Sequence, residues 1–377
     1  MKEIRMVDLV TQYENIQEEI DSAVLDVIRS SAYINGPEVR SFQEELESYL
    51  GVKHVIPCAN GTDALQVAMM GLGLKPGDEV ITATFTYVAT AEVIALLQLT
   101  PVLVDVDPNT FLIDLEAVEA AITPKTKAIV PVHLFGQVAN MDGLMKIAKK
   151  HNLKVVEDTA QAIGADYTFS DGTTQKAGTI GDVGCTSFFP SKNLGCMGDG
   201  GAIFTNDDEL AAEMRMVVNH GQSKRYYHDR IGVNSRLDSL QAAILRVKLR
   251  KLDNYSNSRK AVAEYYDKAF ASCEQLVTPV RAEGSTHVFH QYTMMVKNGK
   301  RDELQSALAE KGIPSMIYYP VALHMQEAYK DDRYPNGHFP VTERLVDEVI
   351  SLPMHTEMDD EQLEYIASSV LEFINKD

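Results

Sequence analysis

Apolar strands alternate with amphipathic helices between residues 54 and 205, which predicts an α/β fold with a mainly parallel sheet covered on both faces. The length of 377 residues allows one large core and a second unit beside it. Past residue 245 the pattern changes to α+β. These observations predict a large α/β domain over 1–245 and a smaller α+β domain over 246–377. Whether the N-terminal segment packs on the smaller domain is left open.

Ile16, Ile20, Val24, Val27 and Ile28 recur at helical spacing and predict a helix over 14–30. Ile34-Asn35-Gly36-Pro37 reads as a turn. A helix with Val39, Phe42, Leu46, Tyr49 and Leu50 inward follows it. Residues 54–57 read as a strand, and Ala59-Asn60-Gly61-Thr62 opens a helix that the stretch 71–78 ends. Strands over 79–82, 101–106, 126–132 and 154–157 alternate with helices over 89–97, 115–122 and 141–151. Short strands are expected at 184–188 and 201–204. One long helix is expected from Arg236 to about Tyr255, with the domain boundary along it. Beyond lie a strand at 292–296, a helix at 301–311, a strand at 315–319 and a C-terminal helix at 360–375. No internal repeat or low-complexity linker is present.

The net charge of −19 argues against a nucleic-acid partner, which calls for a basic face. It does not argue against small anionic substrates, because a basic pocket can sit in an acidic protein. No apolar run is long enough to span a bilayer, and Met1-Lys2-Glu3-Ile4-Arg5 lacks the apolar core of a signal peptide. Cys58, Cys185, Cys196 and Cys273 show no CxxC spacing and read as free thiols of a reducing cytoplasm.

One lysine stands out. Lys192 sits in Thr186-Ser187-Phe188-Phe189-Pro190-Ser191-Lys192-Asn193-Leu194-Gly195, a run with no other charge. Desolvation there disfavours the ammonium form and makes the amine a usable nucleophile, suited to a Schiff base with an aldehyde such as pyridoxal phosphate. The alternative is a surface lysine in a Gly-rich loop. Asn60-Gly61-Thr62 lies between a strand and a helix, where backbone N–H groups bind phosphate or Asn60 or Thr62 simply caps the helix. Phe85-Thr86-Tyr87 follows a strand end, where Tyr87 could stack on a planar ring or pack into the core. Glu157-Asp158-Thr159-Ala160-Gln161 ends a buried strand. Asp158 there could pair with a pyridine nitrogen and Gln161 with a phenolic oxygen, or the two acids could cap the next helix.

Taken in order, Asn60 to Leu65, Phe85 to Thr90, Glu157 to Gln161, Ser187 to Lys192, Gly198 to Ala202, Gly232 to Asp238 and Tyr319-Pro320 resemble the fold-type I, pyridoxal-phosphate-dependent nucleotide-sugar aminotransferases of the DegT/StrS type. The resemblance implies a mainly parallel seven-stranded sheet between helices and a smaller α+β C-terminal domain. It also implies roles. Lys192 matches the Schiff-base lysine, Asp158 the pyridine-nitrogen partner, and Gln161 the contact to the phenolic oxygen. Gly61, Thr62 and Ser187 match phosphate ligands, and Tyr87 the stacking aromatic. Asn234 matches a phosphate ligand reaching in from the second subunit of a homodimer. Arg236, Tyr318, Tyr319 and His324 fall on the substrate side; the alternative for Arg236 is an ion pair with Asp238 or another acid on the helix.

Within the family the runs Cys58 to Gln66, Thr186 to Lys192, Gly198 to Asp208 and His220-Gly221-Gln222 are similar to those of enzymes acting on UDP-2-acetamido-2-deoxy-3-oxo-glucuronate. The resemblance therefore implies transfer of an amino group from L-glutamate to C3 of a nucleotide-linked 3-oxo sugar. Pyridoxamine phosphate would be the carrier, in the cytoplasm, for surface polysaccharide such as O-antigen. One position departs: relatives often carry His before Tyr-Pro, and this chain has Tyr318, which cannot be a cation near neutral pH. That weakens the assignment to the uronate relative to a neutral 3-oxo sugar, with the uronate still the expected substrate. Other 3-oxo or 4-oxo UDP or dTDP sugars stay open, as does a non-catalytic ligand-binding protein on the same fold. A dehydratase of the same family would carry His at position 192.

His287 and His290 raise the question of a metal, but no cysteine or acid completes a ligand set, and both are expected at the surface on a strand edge. Lys224, Arg225 and Arg230, with Tyr226, Tyr227 and His228, read either as a solvated loop or as an electrostatic guide for a nucleotide diphosphate.

Overall fold

A computed structural model describes residues 3–375; Met1 and Lys2, part of the N-terminal stretch read above, lie outside the described residues. The chain opens with α1 (Leu9–Glu14), α2 (Gln17–Ser30) and α3 (Pro37–Leu50), then β1 (His54–Cys58), α4 (Gly61–Gly71), β2 (Glu79–Ala83), α5 (Ala89–Leu96) and β3 (Thr100–Val104). Next come α6 (Leu115–Ala120), β4 (Thr126–Val130), α7 (Met141–His151), β5 (Lys154–Asp158), a hairpin of β6 (Asp166–Thr168) and β7 (Thr174–Lys176), β8 (Val183–Ser187), β9 (Gly201–Thr205) and α8 (Asp208–Val217). A second hairpin of β10 (Gln222–Lys224) and β11 (Tyr227–His228) precedes α9 (Ser239–Leu249) and α10 (Leu252–Phe270). The rest is β12 (Leu276–Val277), β13 (Tyr292–Val296), α11 (Arg301–Glu310), α12 (Pro340–Glu348), β14 (Val349–Leu352) and α13 (Asp360–Ile374).

Seven strands form the main sheet in the order β1-β9-β8-β5-β4-β2-β3. β9 runs antiparallel to both its neighbours and the other pairs are parallel. Side chains alternate between faces along each strand. Val80, Ala128, Val130 and Val156 pack with α4, α5 and α8 on one face. Ile81, Ile129 and Val155 join Met141, Leu144 and Ala148 of α7 on the other. Beneath β1 and β9, Phe42 and Leu46 of α3 meet Leu245 and Leu249 of α9, with Phe42 and Leu46 fully buried. Burial of side chains of this size stabilises the fold by about 1.5–3 kcal/mol each.

A three-stranded antiparallel sheet, β12-β13-β14, holds a second core with α10, α11 and α13. The N-terminal segment reaches this core: Ile4 is buried in it, Met354 N–H donates to the Met6 carbonyl (3.2 Å), and Gln362 Nε2 donates to the Glu3 carbonyl (3.3 Å). All four cysteines are free and buried. No helix among the described residues is long and apolar enough to cross a membrane.

Three expectations need correction. The helix expected from Arg236 to Tyr255 is two helices, broken at Arg250-Lys251. Leu245, Leu249 and Leu252 keep a three-to-four-residue spacing across the break and are all buried, so the apolar period does not reveal it. The strand expected at 315–319 is a single bridge, Met316 to Ser351. His287 and His290 are not at the surface; both are 5% exposed. The segment that carries them passes between the two cores before β13 begins, so burial comes from both sides.

Candidate active site

The parallel strands end at a cavity of about 730 Å³. Its position, beyond the carboxyl ends of β2, β4, β5 and β8, is where ligands bind in open α/β sheets. Gly61, Thr62, Tyr87, Asp158, Gln161, Ser187, Lys192, Tyr318 and Tyr319 all line it.

The N-terminus of α4 forms one end. Asn60 caps the helix, its Oδ1 accepting from Asp63 N–H (2.8 Å), which leaves the Gly61 and Thr62 N–H groups at the cavity. Gly61 is required there by close approach, since a Cβ would come 2.6 Å from Ser187 Cβ. Capping and an anion-binding end therefore coexist at Asn60-Gly61-Thr62.

At β5 the two acids separate by strand alternation. Glu157 is fully buried and accepts from the N–H groups of Gly178 (2.9 Å), Ile180 (2.7 Å) and Gly181 (2.6 Å) and from His133 Nε2 (2.9 Å). His133 Nδ1 accepts from Ala139 N–H, so Nε2 carries the ring proton. Asp158 points into the cavity, where Thr90 Oγ1 (3.0 Å) and Ala160 N–H (3.1 Å) hold its carboxylate. Gln161 is fixed from both sides: its Oε1 accepts from Phe135 N–H (2.6 Å) and its Nε2 donates to the Tyr319 hydroxyl (3.0 Å). The second hydrogen on Nε2 remains for a ligand acceptor.

Lys192 enters from a loop folded on itself. Lys192 N–H donates to the Phe189 carbonyl, Cys196 N–H to the Phe188 carbonyl, and the buried Lys248 Nζ to the Gly195 carbonyl (2.8 Å). Burial lowers the Lys192 amine to about 8, with the Asp158 carboxylate opposing the shift. Tyr87 is 60% exposed at the cavity rim, while Phe85 packs into the core. Tyr318 is half-buried, and loss of solvent raises its phenol above the ordinary value.

His324 is not at the cavity. Its Nδ1 meets Thr84 Oγ1 (2.9 Å), its Nε2 meets Glu343 (3.2 Å), and the ring packs on Phe339. The chain after Tyr319-Pro320 turns back against the end of β2, with Leu323 N–H on the Thr84 carbonyl, and this buries His324 in the protein. Asn234 and Arg236 also lie outside this chain's own cavity. Asn234 is exposed and accepts from Arg236 Nε (2.9 Å), so Arg236 has an amide partner in place of Asp238. The β10–β11 hairpin carrying Lys224, Tyr226, Tyr227 and His228 is exposed. The structure adds Thr90, His290 and Gln291 to the site. Only the pair of polar residues before the apolar strand 292–296 hints at the last two.

Comparison with known proteins places the chain. The fold and cavity are those of an aminotransferase whose lysine faces an aspartate across the end of a parallel sheet. The sequence profile of the DegT/DnrJ/EryC1/StrS aminotransferase family matches residues 14–371, and the chain belongs to that family. It is 46% identical to the pleiotropic regulatory protein of Geobacillus stearothermophilus over 98% of both chains. It is 46% identical to UDP-2-acetamido-2-deoxy-3-oxo-D-glucuronate aminotransferase of Pseudomonas aeruginosa, over 97% of this chain and 99% of the relative. It is 43% identical to UDP-N-acetyl-3-dehydro-alpha-D-glucosamine 3-aminotransferase of Acidithiobacillus ferrooxidans, over 97% of each chain. Among solved structures, a DegT DnrJ EryC1 StrS aminotransferase from Brucella abortus is 41% identical, with a TM-score of 0.93 over 98% of this chain and 99% of that one. The PLP form of a Streptococcus pneumoniae sugar aminotransferase, Spr1654, is 27% identical, with a TM-score of 0.88 over 95% and 96%.

The protein is an aminotransferase that uses pyridoxal phosphate. The cavity fits that cofactor. It offers a helix N-terminus packed so closely on Ser187 that Gly61 has no room for a Cβ, a carboxylate for a protonated ring nitrogen, and a desolvated amine for an aldehyde carbon.

Proposed function

We propose that this chain moves the amino group of L-glutamate to C3 of a nucleotide-linked 3-oxo sugar, with UDP-2-acetamido-2-deoxy-3-oxo-glucuronate as the leading candidate. The observation that carries the reaction is the convergence of Lys192, Asp158, Gln161 and the α4 N-terminus on one cavity. Support for C3 comes from two relatives, each identical at more than two positions in five, whose names specify UDP-linked 3-oxo sugars.

Gly61, Thr62 and Ser187 would hold the cofactor phosphate, Asp158 its ring nitrogen, Gln161 its phenolic oxygen, and Tyr87 the face of its ring. Pyridoxal phosphate, when bound, supplies the electron sink that allows a C–H bond beside nitrogen to break. Lys192 does the proton work. With its amine lowered to about 8, a useful neutral fraction exists near neutral pH, and that amine would be the base that accepts a proton from the donor's Cα and holds it for return. Tyr318 and Tyr319 would face the sugar, and Arg236 a carboxylate or diphosphate.

The proposal includes a cytoplasmic homodimer. Asn234 is exposed and outside its own cavity, in the segment after a hairpin that exposes Tyr226 (76%) and Tyr227 (58%), and close in sequence to the exposed Ile231 (87%). A second copy covering that surface would bring Asn234 to the other cavity. A regulatory, non-catalytic role is suggested by the name of the Geobacillus relative, but pure ligand binding has no use for a desolvated lysine facing Asp158.

The test is a panel of UDP- and dTDP-linked 3-oxo and 4-oxo sugars, with and without a C6 carboxylate. Amination of UDP-linked 3-oxo sugars is expected. Activity confined to 4-oxo sugars would overturn the C3 assignment.

A further inference from the structure

Residues 286–291 cross between the two cores and are clamped at successive carbonyls. Asn193 Nδ2, from the residue next to Lys192, donates to the Val288 carbonyl (2.8 Å). The buried Arg259 donates through Nη1 to the carbonyls of Phe289 (3.1 Å), His290 (3.2 Å) and Met354 (3.0 Å). Val288 N–H is held by the Gly136 carbonyl (2.8 Å). Phe289 has φ +48°, a left-handed conformation that non-glycine residues rarely adopt, and the clamp sustains it. The result is to turn the next side chain, His290, onto the cavity wall that it shares with Lys192.

His290 is 5% exposed, and its Nδ1 is buried with no hydrogen-bond partner among the described residues. Such an atom is costly to leave empty, and a ligand or a neighbour's donor is its expected partner. We propose that His290 is a positioning residue for Lys192: the two are not hydrogen-bonded in this structure, and a turn of the lysine side chain within the shared cavity wall brings the ε-ammonium to Nδ1 as its donor, which orients the amine while it holds a proton. Burial together with the charges of Lys192 and Arg259 keeps the imidazole neutral, so it retains a lone pair for this purpose. Asp158 from β5 also faces Lys192, and Asp63 from α4, Cys185 from β8 and Asp199 lie on the same cavity. The phenols of Tyr87, Tyr318 and Tyr319 complete its titratable lining. His287 is turned away, stacked on Phe289 at 3.8 Å.

The proposal rests on Lys192 being the catalytic lysine, and the test separates the two. Full-length cofactor-free protein is labelled with trinitrobenzenesulfonate across pH, and the labelling of Lys192 is followed by peptide mass. His290→Leu should lower the midpoint of Lys192 labelling by about one pH unit, because a hydrogen bond to the charged form is lost. His290→Asn places an amide atom where Nδ1 stood and should restore the midpoint, while His290→Gln, which mimics Nε2, should not. In the holoenzyme His290→Leu should reduce kcat about tenfold with little change in KM for glutamate. A folded His290→Leu protein with the wild-type midpoint would overturn the proposal, as would restoration by Gln and not by Asn. Loss of turnover in Lys192→Ala would leave the functional reading standing in either case.

Discussion

Two lysines are buried within one loop and its support, and their chemistry differs. Lys192 faces a cavity and a carboxylate, whereas Lys248 is 4% exposed and spends its charge on the Gly195 carbonyl. Both amines are lowered by burial from an ordinary 10.5 to about 8. Between those values the unfolded chain holds protons that the folded chain has released, so each lysine makes stability rise with pH across the window. Below pH 8 both states are protonated and the contribution is flat. Lys248→Met removes one such group. Its melting temperature relative to wild type should therefore fall as pH goes from 8 to 10.5, as read by thermal unfolding at matched pH. A difference that stays constant with pH would contradict this placement of Lys248. At this scale the sequence was informative for Lys192, the one charge in its run, and for Asp158 and Gln161, at and just past the end of β5. It was uninformative for His290, whose burial depends on two cores that meet only in the folded chain, and for His324, which the chain reversal after Pro320 carries to Thr84 and Glu343.

Elements were legible where the apolar period was strong and uninterrupted. Helix α7 and strand β13 have the bounds that spacing predicts. The missed features are those set by partners distant in sequence. Helix α12 has no side-chain cap of its own and takes one from Asp105, which accepts from Val341 N–H (3.0 Å) and Thr342 N–H (2.9 Å). The loop 178–181 has no recognisable turn signal beyond its glycines, yet Glu157 fixes it with three N–H bonds. Glu157 therefore joins β5 to the approach of β8, the two strands that present Asp158 and Ser187. Glu157→Gln would turn an acceptor into an amide that confronts N–H donors in a buried site. It should lower stability by about 2–4 kcal/mol in urea unfolding, and a loss below about 0.5 kcal/mol would show that the carboxylate is not the clamp.

On the scale of the whole molecule, the sheet order places Gly61, Thr62, Tyr87, Asp158, Gln161, Ser187 and Lys192 on a single rim, and leaves Asn234 outside it. If a second copy supplies Asn234, two inactive variants should complement each other. Lys192→Ala mixed with Asn234→Ala, unfolded together and refolded, should regain about a quarter of wild-type sites, because each mixed dimer holds one undamaged cavity. Recovery of none, with both parents folded, would assign Asn234 to its own chain. The sequence could place Asn234 in a motif but not in a subunit, since that depends on an interface.

The most direct test of the central claim is the half-reaction with L-glutamate alone. Full-length protein loaded with pyridoxal phosphate, given glutamate and no sugar, should release 2-oxoglutarate in a burst stoichiometric with subunits, and Lys192→Ala should release none at that rate. A wild-type protein that retains cofactor but gives no burst, or a Lys192→Ala protein that matches the wild-type burst, would contradict the assignment.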